Sequence, residues 1–158
     1  MYKRQILREP LFIVAPKGMD TGRGGIDELA QRLPLVRYSS GGFLGRQVAT
    51  YLQQRELSLP REYEFDTSDA VLAMVRAGLG WTITTPLCVL KAQPALGELK
   101  FLPLDGGAPH RTLRVIAHRD EHAALWERFA ATARTILKHE WVPAIKRLAP
   151  WGEVASDL

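Results

Sequence analysis

Three stretches of this chain end in small hydroxyl residues. They are Arg37-Tyr38-Ser39-Ser40-Gly41-Gly42, Glu64-Phe65-Asp66-Thr67-Ser68-Asp69 and Trp81-Thr82-Ile83-Thr84-Thr85-Pro86. Each follows a segment of strand character and precedes a helical pattern. In an α/β sheet such turns lie at the carboxyl ends of strands, where ligands bind. A helix that starts there presents unpaired N–H groups and the positive end of its dipole, which favour a carboxylate or another anion. Ser40, Thr67 and Ser68 are also ordinary helix-capping types, so each has a purely structural role open to it. The convergence of three such loops points to a small-molecule cleft.

Other chemistries find less support. Of the four histidines, His110, His118, His122 and His139, only His118 and His122 have i,i+4 spacing. They straddle a strand–helix junction with no third ligand nearby, so no metal site is expected. Ser39 and Ser40 follow a strand but lack the glycine that precedes the serine of a nucleophile elbow. Thr21-Gly22-Arg23-Gly24-Gly25 is only loosely like a phosphate loop: no Lys-Ser/Thr follows it, and the next helix is short. No carboxylate pair and no nucleophile with a positioned base stands out. The expectation is a binding module with no catalytic residues and no cofactor. The single cysteine, Cys88, cannot form an internal disulfide. Its apolar context suits a buried small side chain and a reducing, cytoplasmic location.

The elements that must position these loops are legible as alternating strands and helices. Residues 11–14 form a short apolar run closed by Pro16 and Gly18, read as a strand buried on both faces. A loop over 17–25, a short helix over 26–32 and a strand over 35–38 follow. From residue 43 to 56, Leu44, Val48, Tyr51 and Leu52 recur at helical spacing. A strand over 61–65 leads to Asp66-Thr67-Ser68 as capping residues, then to a helix over 69–77 with Gly78 suited to its C′ position. A strand over 80–84, a helical segment from Pro86 to Leu90, and strands over 99–104 and 113–117 complete the sheet. A long helix starting near Asp120 carries Leu125, Phe129, Thr132 or Ala133, Ile136 and Leu137 as its expected core face. Pro143 should kink or restart it, and residues 152–158 read as a frayed tail. The pattern argues for an α/β fold with a largely parallel sheet.

Composition narrows the partners. The 158 residues carry a net charge of +4, with 46% hydrophobic and 24% charged residues. The apolar runs are far shorter than the ~18–20 residues of a membrane span. Lys and Arg are scattered and mostly alternate with Asp or Glu. No basic stripe marks a nucleic-acid surface.

The segment from Asp66 to Pro86 resembles the effector-binding domain of LysR-type transcriptional regulators. The resemblance rests on a capped helix ending in Val75-Arg76-Ala77-Gly78-Leu79-Gly80, then the apolar strand Trp81 to Thr85 closed by Pro86. Glu9 to Gly18 looks like the family's crossover strand from first lobe to second. Pro34 to Ser40 and the helix after it fit the second lobe. Arg111 to Glu121 looks like the returning strand. The resemblance implies a two-lobe, periplasmic-binding-protein-like (type 2) fold. It implies a bacterial, cytoplasmic regulator that senses a small, often anionic metabolite and controls transcription through a helix-turn-helix domain. Homodimers or tetramers are implied, with the helix over 43–56 as a dimer surface or, alternatively, a plain solvent face. The family pattern assigns 6–15 and 109–148 to a partial lobe one, 16–108 to lobe two and 149–158 to a tail. The DNA-binding domain, linker helix and first half of lobe one are expected ahead of this segment. Residues carried over as effector-binding are Tyr38, Ser39, Ser40, Phe65, Asp66, Thr67, Ser68, Thr84, Thr85 and Pro86. Arg37 is set aside as a mid-strand charge suited to an exposed face. Two other readings share the fold: a solute-binding protein of transport, and an enzyme built on the same cleft.

Residues 1–5, Met-Tyr-Lys-Arg-Gln, stand apart from this pattern. They are what a transposon-end adapter would encode, and are expected to be a non-native leader.

Overall fold

The computed structural model describes residues 1–20, 25–107, 109–118 and 122–155. Its elements are β1 (Tyr2–Pro10), β2 (Phe12–Pro16), α1 (Gly25–Arg32), β3 (Val36–Tyr38), α2 (Phe43–Gln54), β4 (Tyr63–Phe65) and α3 (Ser68–Arg76). They continue as β5 (Thr82–Thr84), α4 (Pro86–Ala92), β6 (Leu99–Pro103), β7 (His110–Ala117), α5 (Ala123–Ile136) and α6 (Val142–Leu148). The Thr21–Gly25 loop considered for phosphate falls largely outside the described residues, as does the helix start placed at Asp120.

β2 is the centre of the main sheet. It runs between β5 and β6 and is antiparallel to both. β3 and β4 pair in parallel. A parallel bridge from Leu35 to Trp81 joins β3 to the approach of β5, with Val36 N donating to Trp81 O at 2.8 Å and Trp81 N to Pro34 O at 3.1 Å. The spatial order is therefore β4-β3-β5-β2-β6. The expectation of a largely parallel sheet is corrected twice, at β2 and at the β1–β7 pairing, both antiparallel; β3 and β4 are the parallel pair. β3 to β6 follow one another through α2, α3 and α4, and helical crossovers keep strands parallel. β2 instead arrives directly from β1 after one residue, Leu11, and runs against the rest.

β2 is buried on both faces, as its composition predicts. Leu11, Ile13 and Ala15 join a core with Ile26, Leu29, Val48, Leu52 and Trp81. Phe12 and Val14 join a second core with Leu72, Val75, Val89 and Ala149. The alternation follows from the two-residue period of a strand. The Gly78-x-Gly80 motif has a steric explanation. Gly78 follows α3 at φ +76°, a left-handed C′ geometry. A Cβ on Gly80 would meet Pro34 O at 2.7 Å.

β1 and β7 form a separate antiparallel ribbon, from Tyr2 opposite Ala117 to Pro10 opposite His110, with an irregularity between Gln5 and Leu7. Residues 2–5, read as a leader, are strand here and lie opposite 114–117. The described part of the tail, to residue 155, pairs with β1 where fraying was expected. Ala155 exchanges backbone hydrogen bonds of 2.8 and 3.1 Å with Arg8.

α5 corrects the sequence reading most sharply. Ala130 is fully buried, and Trp126, Ala133 and Leu137 are partly buried. Leu125, Phe129 and Ile136, expected in the core, are exposed at 55%, 56% and 44%. The two stripes differ by one residue, about 100° around the helix, and both are apolar enough to satisfy the periodicity. Beyond α5 the helix widens to a π-turn over Leu137–Trp141 and restarts at Val142 with Pro143 in its first turn. This is the restart that Pro143 dictates.

Two substitutions test this assignment by chemical denaturation. Phe129→Ser should leave stability within about 0.5 kcal/mol, as an exposed position does. Phe12→Ala should cost about 3–5 kcal/mol.

Candidate functional site

The carboxyl ends of β3, β4 and β5 meet at one hydroxyl hub. Tyr38, the last residue of β3, shares a 2.7 Å hydrogen bond between its hydroxyl and Thr84 Oγ1 and donates to Ser68 Oγ at 3.2 Å. Beside it opens a cavity of about 240 Å³ whose polar wall is Tyr38, Ser39, Asp66, Ser68, Cys88 and Arg111. The first turn of α2 forms the opposite wall. It comes this close because residue 45 is glycine: a Cβ there would lie 2.1 Å from Ser39 O and 2.7 Å from Tyr38 O.

Of the residues singled out from sequence, Tyr38, Ser39, Asp66 and Ser68 line this cavity. Thr84 is buried behind it as a partner of Tyr38. The remainder do not line it. Thr67 is the N-cap of α3 and accepts from Ala70 N at 3.4 Å. Thr85 caps α4 and accepts from Cys88 N at 3.4 Å, with Pro86 beginning that helix. Ser40 is exposed, its N–H donating to Glu64 Oε1 at 3.3 Å. Phe65 ends β4, its carbonyl accepting from Ser39 N at 2.9 Å. Arg37 is half-buried rather than on an exposed face. Its Nη2 donates to Leu59 O at 2.8 Å, and it lines a different cavity of about 480 Å³ beside the C-terminal turns of α2. Burial and then Arg61 depress its pKa, against the opposing pull of Glu64.

Three residues of the site region escaped the sequence reading: Glu9, Cys88 and Arg111. Glu9 and Arg111 are 102 positions apart and become neighbours only when β1 pairs with β7. Arg111 Nε donates to Glu9 Oε1 at 2.9 Å, and Nη2 donates to the same oxygen. Arg111 Nη1 donates to Cys88 Sγ at 3.3 Å. Leu87 N, in the first turn of α4, donates to Glu9 Oε2 at 2.9 Å. Glu9 is fully buried and the Arg111 side chain is 14% exposed. A carboxylate just ahead of the apolar run over 11–14 was the available signal, but nothing near it in sequence marks Arg111 as its partner.

Burial works against the charge of Arg111. Glu9 first and Cys88 second more than offset it and hold its pKa above the ordinary arginine value. Burial also pushes the Tyr38 hydroxyl up to about 12, Cys88 adding to the rise and the bonds to Ser68 and Thr84 opposing it. At neutral pH the cavity therefore presents a charged guanidinium, neutral hydroxyls and the Asp66 carboxyl group. Among the described residues no group of three or more His, Cys, Asp or Glu is placed to hold a metal ion. None of the helices there is long and apolar enough to cross a membrane.

A polar cavity at the strand ends of an α/β sheet is where such folds commonly hold ligands. The family model of the LysR substrate binding domain matches residues 1–138, and the chain belongs to that family. It is an effector-binding domain of the LysR-type regulators, with their periplasmic-binding-protein-like type 2 fold. Solved structures agree. The CcmR regulatory domain of Synechocystis PCC6803, in complex with 2-PG, superposes with a TM-score of 0.71 at 15% identity, covering 88% of this chain and 68% of that one. OxyR of Corynebacterium glutamicum (C206 mutant) gives 0.70 at 18% identity, covering 94% and 46%. The apo regulatory domain of HypT from Salmonella typhimurium gives 0.64 at 19% identity, covering 86% and 66%. At these identities the likeness is one of fold. The chain spans about two thirds of the two regulatory domains and under half of the OxyR chain. No curated protein sequence matches it.

Two measurements probe this geometry. Gly45→Ala should destabilise the domain by about 1–3 kcal/mol, the usual cost of overpacking, because the obstructing atoms are backbone. Tyr38 gives a pH signature. Its folded pKa lies above the unfolded value of 10. The folded state therefore holds more protons between about pH 10 and 12, and stability falls as pH rises through that window. Tyr38→Phe should be less stable than the parent at pH 7 by about 1 kcal/mol, the worth of its hydrogen bonds. It should lose less stability than the parent between about pH 10 and 12.

Proposed function

We propose that this domain senses a small organic acid in the cavity between the strand ends and the β1–β7 ribbon, and that it has no enzymatic activity. The observation that supports it is the Arg111 guanidinium beside the hydroxyls of Tyr38, Ser39 and Ser68. Arginine suits a carboxylate because its planar fork matches both oxygens. Ser68 opens α3, so its surroundings add the positive end of that helix dipole. The CcmR regulatory domain, matched over most of this chain, was solved with a small ligand bound. The ribbon and α5 belong to lobe one in this reading, and the five-stranded sheet to lobe two, which moves β2 out of the lobe-one segment expected over 6–15. A ligand held more tightly when the lobes close would shift the population toward that arrangement. Homodimer or tetramer assembly, contact with DNA through a helix-turn-helix domain outside these residues, and a cytoplasmic location form part of the same proposal. The family match favours a regulator over a transport protein of the same fold.

A thermal-shift screen of small organic acids tests the reading. A true ligand at a hundredfold its Kd should raise Tm by about 5–10 °C. Ser68→Ala should weaken that ligand about 10- to 150-fold with little change in the unliganded Tm, since one hydrogen bond to a charged group is worth about 1.5–3 kcal/mol. Stabilisation by cations or neutral apolar compounds alone would refute it.

A further inference from the structure

Glu9 stands behind the cavity rather than in its wall, yet it governs the charge that the cavity offers. Its carboxylate is fully buried and its partners come from two separate elements. Oε1 takes Arg111 Nε and Nη2 from β7, and Oε2 takes Leu87 N from α4. Arg111 has five N–H bonds. Two go to Glu9 and one to Cys88, which leaves two for a ligand. Those two retain their hydrogen-bonding capacity, while the positive charge behind them is already cancelled. One carboxylate on a ligand takes both remaining N–H bonds and sits by the N-terminal end of α3; a second would find neither donors of Arg111 nor a cation, only the acceptor Asp66 among the other lining groups. Desolvating a charge without a counter-charge is strongly unfavourable. Asp66 instead offers an acceptor to a ligand hydroxyl or ammonium group.

We propose that Glu9 determines effector specificity: by neutralising Arg111 from behind, it fits the cavity to a singly charged small acid that carries a hydrogen-bond donor, and against a dianion. The inference rests on the reading that this cavity is the effector site. Glu9 makes no contact with the cavity itself. It acts through Arg111 and is a positioning residue.

The experiment compares glycolate, a hydroxylated monocarboxylate, with malonate, a dicarboxylate, on the 158-residue chain. Affinities come from calorimetric titration, and the site from amide shifts at Ser39 and Ser68 in NMR spectra. The parent chain should bind glycolate at least about tenfold more tightly than malonate, a difference of about 1.4 kcal/mol. Glu9→Gln keeps the side-chain shape but leaves Arg111 uncancelled, so malonate should gain at least about tenfold relative to glycolate. Should Glu9→Gln alone fail to fold, the double variant Glu9→Gln/Arg111→Gln removes both charges together. It should melt cooperatively and bind the two acids equally weakly. A parent preference that persists in Glu9→Gln, or in the double variant, overturns the role of Glu9 and leaves the cavity as the effector site. A parent chain that binds neither acid at Ser39 and Ser68 overturns the cavity reading, and the role of Glu9 falls with it.

Discussion

Burial of β2 on both faces is the constraint on which the rest of the molecule is arranged. A strand with Leu11, Ile13 and Ala15 on one side and Phe12 and Val14 on the other needs two covering layers. One is supplied by α1 and α2, the other by α3, α4 and the residues after α6. Both faces are apolar, so a register slip would not expose a polar face, and register has to come from elsewhere. It is supplied by the pairing on either side: Ile13 stands opposite Ile83 in β5 and opposite Leu102 in β6. Trp81 then locks the neighbouring strands, its backbone bridging to Leu35 and its indole N–H donating to Leu33 O at 3.0 Å.

The same strand fixes the geometry of the cavity. β2 follows β1 after a single residue, so the ribbon cannot move far from the sheet at that end. Leu11 N donates to Pro109 O at 2.8 Å, and Gln47 Nε2 donates to His110 O at 2.7 Å. These bonds tether the start of β7 to the crossover and to α2. Arg111, one residue further on, is thereby delivered to the edge of the hydroxyl hub. The hub comes from the sheet and the guanidinium from the ribbon.

How much of this was legible in the sequence follows from which interactions are local. Helix caps are local, and Thr67 and Thr85 fall where their types suggest. Strand burial is local too, and the apolar run at 11–14 identified β2. The strand-end hydroxyls led to four of the six polar cavity residues, because the rule that ligands bind at carboxyl ends depends only on element order. The failures are non-local. Glu9 and Arg111 meet through a pairing of strands 102 positions apart at that point, and no periodicity records it. The antiparallel sense of β2 depends on how it enters the sheet, which its own residues do not encode. On α5 the pattern held two apolar stripes one residue apart, and only packing against the β1–β7 ribbon selects Trp126, Ala130, Ala133 and Leu137.

The hydroxyl residues that drew attention as ligand groups are divided between two jobs, and the division is physical. A hydroxyl that already accepts a cap hydrogen bond, as Thr67 and Thr85 do, is committed to the stability of its helix. Ser68 and Tyr38 are bonded to each other, and Tyr38 also to Thr84, within a network buried enough to keep the phenol neutral. Ser68 accepts from Tyr38 and keeps its own proton to donate, so a ligand acceptor can join the network there without displacing a cap. Arg111 differs. Its fixed position depends on a carboxylate that also holds the first turn of α4 through Leu87 N. A ligand that draws on the Arg111 charge therefore competes with a bond that helps to seat α4. A ligand that uses only the two remaining N–H groups does not. In the proposed site, what the cavity accepts is thereby tied to what the ribbon and α4 can give up. That link joins β1 and β7 to the sheet through one buried carboxylate.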